Sequence, residues 1–150
     1  MEINVKEFSL EIFPDRKNEL GYGIGKIIIG DFKETVLFDL NYWDTERYKS
    51  QWCKAVDDIL SGRENKTCLF TSVRLEENYK VCAVWDLFRQ GDLIYIHSCG
   101  FNIDEITNFS FEHPSQFMDD WESPDKREFR ISEWVIPVQS IERWFLKLCS

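Results

Sequence analysis

The stretch DTERYKSQWCKAVDDILSG, Asp44 to Gly62, decides the fold. Asp44 is a good helix N-cap and Gly62 a good C-terminal stop. Between them Tyr48, Trp52, Ala55, Val56, Ile59 and Leu60 recur at helical spacing on one face. The spacing predicts a helix over 44–61 with one strongly apolar side. Such a face needs a partner surface, and the flanking sequence changes period to supply one.

Upstream, Phe8, Leu10 and Ile12 alternate with polar residues, the period of a half-buried strand, and Pro14 is expected to end it. Ile24 to Ile29 and Thr35 to Leu40 read as further strands, with Gly30-Asp31 turning between them. Downstream come strands over Thr67 to Leu75, Lys80 to Arg89 and Leu93 to Ser98, the last two joined at Gln90-Gly91-Asp92. A polar, irregular stretch with Pro114 and Pro124 follows. Phe129 to Val135 reads as a last strand. Pro137 suits the first turn of a closing helix, on which Val138, Ile141, Trp144, Phe145 and Leu148 share a face. Short turns between consecutive strands favour antiparallel pairing. The expected class is α+β: two antiparallel sheets and two helices in the order ββββ-α-ββββ-α. Trp52, Ile59, Trp144 and Leu148 are expected inside.

The chain has 150 residues, enough for one compact core, and is read as a single domain over 1–150. Aromatics make up 15%, so large rings must carry much of that core. Acids outnumber bases 27 to 18, for a formal charge of -9. That argues against general nucleic-acid binding, which needs cations to displace phosphate counterions, and favours a basic partner. The opening MEINVKEFSLEIF has no apolar run behind a basic start, so no secretory leader is expected. The longest apolar runs, Ile27 to Ile29 and Val135 to Ile136, are far too short for a membrane span. The five cysteines are odd in number and form no C-x-x-C pair. They read as reduced, mostly buried thiols of a cytoplasmic protein.

Few residues offer chemistry. Gly21, Gly23 and Gly25 lead into a strand, whereas a phosphate loop opens a helix, so they read as a turn or bulge. His97 and Cys99 share a strand face, but a nucleophilic dyad also needs mutual reach and an orienting third group. A hydrogen-bonded structural histidine is the blander reading, and His113 reads as exposed. Asp57 and Asp58 point about 100° apart on a helix and cannot clasp one ion. No catalytic residue, metal or cofactor is expected.

One run stands apart. From Gln90 to Asp125 there are eight acids and no Lys or Arg, which accounts for -8 of the chain's -9. Phe101, Phe109, Phe111, Phe117 and Trp121 are interleaved with the acids. Carboxylates around aromatic anchors suit a surface for a cationic protein, since charge steers the encounter and desolvated rings supply affinity. A solvated loop with its rings tucked into the core is the competing reading. A divalent-cation site at Asp119, Asp120 and Glu122 is a third.

Two segments carry a resemblance. L-N-Y-W-D (Leu40 to Asp44), followed by Tyr48-Lys49 and Trp52, opens the first helix, and I-S-E-W (Ile131 to Trp134) precedes the second. Together they resemble immunity proteins of bacterial contact-dependent growth inhibition (CDI) systems, in a branch similar in fold to the Whirly single-stranded-DNA-binding proteins. The likeness covers residues 36–60 and 129–148. It implies a cytoplasmic antidote that binds, one to one, the basic toxin domain of a cognate effector. In that branch the toxin is a nuclease whose active site is covered. Tyr42, Trp43, Trp52 and Trp134 read as packing residues. Immunity proteins diverge where they meet the toxin, so the weakly matching segment is the expected contact: Asp104, Glu105, Glu112, Phe117, Asp119, Asp120, Trp121, Glu122 and Asp125. The rival is a Whirly-like single-stranded nucleic-acid binder.

Overall fold

The structure is a computed structural model, and it describes residues 6–149. Residues 1–5, part of the stretch expected to carry no leader, and residue 150 lie outside it. Strands β1 (Phe8–Lys17), β2 (Gly23–Ile29) and β3 (Phe32–Phe38) form one antiparallel sheet in that order. Helix α1 (Thr45–Leu60) follows. Strands β4 (Lys66–Glu76), β5 (Tyr79–Gln90), β6 (Leu93–Asn102) and β7 (Trp134–Pro137) form a second antiparallel sheet, and α2 (Val138–Leu148) closes the chain. The α+β class, the pairing and both helices agree with the sequence reading. The first sheet differs: among the described residues it has three strands, not four.

Two boundaries also differ. Pro14 does not end β1, because the strand slips register between Ile12 and Lys17 and places Asp15 at φ 59°. Such an irregularity accommodates a residue with no N–H to offer the ladder. Residues 129–133 form no strand, and β7 pairs with β6 only from Trp134↔Ile96 onward.

Asp44 caps α1 by accepting from the Arg47 N–H at 2.8 Å, and the Arg89 guanidinium donates to the terminal carbonyls of Ile59 and Leu60. The buried face of α1 does more than pack. Gln51 donates to the Cys68 carbonyl at 2.8 Å and accepts from the Phe70 N–H at 3.0 Å. Trp52 Nε1 donates to the Phe70 carbonyl, and the Val73 N–H donates to the Tyr48 hydroxyl. Side chains of α1 thus complete the hydrogen bonds that the β4 edge would otherwise leave open, where the strand bulges between Phe70 and Ser72. Helix α2 packs on the first sheet: Trp144 meets Phe8 edge-on at 5.0 Å and donates to the Leu10 carbonyl.

Trp52, Ile59 and Trp144 are buried as expected, and Leu148 only half so. Trp43 is buried, but Tyr42 is exposed and belongs to no core; Trp134 is half-buried against Phe32 and Trp85. Cys68 and Cys82 are buried free thiols. Cys53 and Cys149 are not: a disulfide joins them and ties α1 to the end of α2. The pairing escaped sequence reading because the two are 96 residues apart and meet only once both helices are packed.

The glycine cluster is structural. A Cβ on Gly25 would stand 2.0 Å from the Glu11 carbonyl oxygen and 2.5 Å from the Phe38 ring. Backbone cannot yield as a side-chain tip can. Gly25→Ala is therefore expected to destabilise the fold by about 1–3 kcal/mol in urea titration. An unchanged midpoint would show the contact to be soft.

Candidate functional site

The outer face of the second sheet is set by strand alternation. Asp86 and Phe88 point outward from β5, and Tyr95, His97, Cys99 and Phe101 from β6. Asp86 pairs with His97 and Phe88 with Tyr95. The segment after β6 crosses this face before returning as β7.

The crossing begins with a short helical turn over Ile103–Glu105, capped by the Asn102 side chain on the Asp104 N–H. Phe109, Phe111 and Phe117 then turn inward. They join Phe101 in a cluster against Phe70 and Trp43, with ring centroids 4.7–6.5 Å apart. Most aromatics of the acidic run therefore anchor the segment to the sheet. Phe117 reaches both the cluster and the groove described below.

The second anchor is polar. Glu133 Oε2 accepts from His97 Nε2 at 2.6 Å, Trp121 Nε1 at 3.0 Å and Arg127 at 2.5 Å. Trp121 lies on Tyr95 at 4.5 Å, with the Arg127 guanidinium 5.7 Å from its centroid. Burial opposes ionisation of Glu133, but the bonds from Arg127, His97 and Trp121 outweigh it and hold the carboxyl below its usual range. Lys66 adds a third tie, donating to the Met118 carbonyl at 2.7 Å and to Asp120 at 2.8 Å. Trp121 is thus a half-buried part of a fixed cluster.

The carboxylates do the opposite. Asp104, Glu105, Glu112, Asp119, Asp120, Glu122 and Asp125 are all exposed. Arg47 pairs with Glu112 and Lys66 with Asp120. Among the described residues no cation lies within ion-pair distance of Asp104, Glu105, Asp119 or Glu122. No group of three or more His, Cys, Asp or Glu among them is placed to hold a metal ion, so the cation-site reading of Asp119, Asp120 and Glu122 is dropped. Nor do His97 and Cys99 form a dyad. Glu133 orients His97, but among the described residues no hydrogen bond joins that ring to Cys99, whose thiol donates to the Gly100 carbonyl at 3.8 Å; burial, then the charge of Asp86, pushes the thiol up and disfavours the thiolate.

Between the sheet and residues 117–131 lies a groove of about 960 Å³. Its floor holds Asp86, Phe88 and Cys99, and its rim carries Phe129 and Ile131, both exposed. Burial pushes the Asp86 carboxyl up to about 7, and no described side chain donates to it. Sequence reading missed Asp86, Arg127 and Glu133. The signals were faint: an acid inside the apolar strand A-V-W-D-L-F, and the Glu of I-S-E-W.

The chain belongs to the CdiI N-terminal domain family, whose model it matches over residues 38–144. This bears out the resemblance drawn from L-N-Y-W-D and I-S-E-W. A curated relative, "Immunity protein CdiI" of Enterobacter cloacae subsp. cloacae, is 27% identical over 115 residues, 77% of this chain and 79% of the relative. In fold, the chain is similar to one in the solved "CdiA-CT/CdiI toxin and immunity complex from Enterobacter cloacae". The TM-score is 0.81 at 24% identity, with 94% of this chain and 97% of that one covered.

Proposed function

We propose that this chain is a cytoplasmic immunity protein that binds one to one and neutralises the C-terminal toxin domain of a cognate CDI effector. Family membership supports the role. The observation that carries the binding mode is the row of exposed carboxylates on a firmly anchored segment, most of them without a cation. Nuclease domains are basic because they hold phosphates, so such a row imitates the field of their substrate. In this reading the acidic face covers the toxin's active site, and the chain needs neither catalysis nor cofactor. A Whirly-like single-stranded nucleic-acid binder would need a cationic groove, the reverse of this charge pattern.

The test is co-expression with the C-terminal domain of the effector encoded beside this chain. Restored growth and co-purification of the two chains are expected, with no retention of single-stranded DNA on filters at low salt. Cys99→Ala should protect as the wild type does. Growth arrest despite soluble expression would overturn the role, and loss of protection by a stably folded Cys99→Ala that still binds the toxin domain with wild-type affinity would overturn the non-catalytic reading.

A further inference from the structure

We propose that Asp86, on the groove floor, receives a basic side chain of the toxin domain and so acts as a specificity-determining contact. This rests on the reading that the acidic face meets the toxin. Three observations carry it. First, the carboxylate stands half-buried in the groove and has no hydrogen-bond donor among the described residues. Second, the groove is lined by five acids, Asp86, Asp119, Asp120, Glu122 and Glu128, against two cations, Lys126 and Arg127. Arg127 is committed to Glu133, and Lys126 is exposed. Third, the walls include Phe88, Phe101, Phe117 and Phe129. Aromatic walls suit the apolar stem of an arginine or lysine and the face of a guanidinium, while a carboxylate at the end takes the charge.

Charge placement makes the contact readable in protons. Asp86 is faced by Cys68 from β4 and by His97 and Cys99 from β6. The crossing segment contributes the groove acids and cations already named. Burial alone holds the free carboxyl up to about 7, so near neutral pH it is partly protonated. A cation arriving beside it favours the carboxylate, and the proton leaves to buffer. Binding should therefore release protons and tighten as pH rises from 6 to 8. Folding responds with the opposite sign. A carboxyl raised in the fold above its unfolded value stabilises the protein at low pH, and that stability is lost as pH rises through about 7. Asp86→Asn escapes this loss, so at pH 8 the variant should melt no lower than the wild type.

The experiment is titration calorimetry of the whole chain against the purified C-terminal toxin domain. Wild type and Asp86→Asn are compared at pH 6, 7 and 8, in two buffers of different ionisation enthalpy. Asp86→Asn should bind roughly 10- to 100-fold more weakly at pH 8 and lose the proton release, while keeping its melting temperature. If Asp86→Asn binds with wild-type affinity and proton count, this inference falls while the immunity reading stands. If the wild type itself does not bind the toxin domain, both fall.

Discussion

Trp52→Ala is expected to cost about 3–5 kcal/mol of folding free energy, enough to unfold much of a marginally stable domain. The indole is 0% exposed. It meets Phe38 at 5.9 Å and Trp144 at 6.1 Å, so it stands where α1, α2 and the first sheet converge. Its N–H also serves the Phe70 carbonyl at the bulged edge of β4. Truncation leaves a large cavity and an orphaned buried acceptor together. Trp52→Phe separates the two, since it keeps most of the ring and loses only the bond, at about 1 kcal/mol. Leu146→Ala, at a side chain 69% exposed on α2, should change little. Urea titration of the three variants checks the ranking. If Trp52→Ala and Leu146→Ala have equal midpoints, the helix face is not the core.

That face was legible because helical periodicity and burial are the same fact seen twice. The strands were legible for a similar reason, and their ends were not. Pro14 looked like a stop, yet a register slip carries β1 past it to Lys17. Phe129 and Ile131 alternate as a strand would, but their side chains sit on the groove rim, and pairing with β6 begins only at Trp134. Alternation reports which residues are apolar, not which edge will accept them. Tyr42 and Trp43 show the same limit: adjacent rings in one motif, one exposed and one at 6% exposure against Tyr48, Phe70 and Phe111.

The acidic run was visible as composition, and its two roles were not separable there. Phe109 and Phe111 anchor the segment, while Asp104, Asp119 and Glu122 face solvent. The rings follow the tucked-in reading, and the exposed acids are the part that toxin binding tests. Glu133 and Asp86 were hidden for another reason. Each matters through partners distant in sequence or through lacking any, and neither property has a period.

The claim that the acidic segment is the toxin-binding surface makes the largest prediction. Asp119, Asp120 and Glu122 flank Trp121 at the groove mouth, and all three are exposed. Reversing them together to lysine replaces three negative charges by three positive ones in front of a basic partner. Rim charges chiefly set the association rate, and a desolvated pair acts on dissociation at about 2–5 kcal/mol when one partner is lost. From a nanomolar wild type, near -12 kcal/mol, affinity should fall by at least roughly a thousandfold. Binding by the wild type should also weaken as salt rises, because exposed charges are screened beyond about 8–10 Å. Stability should change little. Among the described residues Asp120 alone of the three is ion-paired, and it is 88% exposed, so its tie to Lys66 is worth under about 1 kcal/mol. Toxin affinity of the Asp119→Lys, Asp120→Lys, Glu122→Lys triple variant, measured by calorimetry beside its melting temperature, is the decisive measurement. A thousandfold loss at an unchanged melting temperature is the predicted result. Wild-type affinity in the folded variant would contradict the account and move the contact to another face, the sheet of β1, β2 and β3.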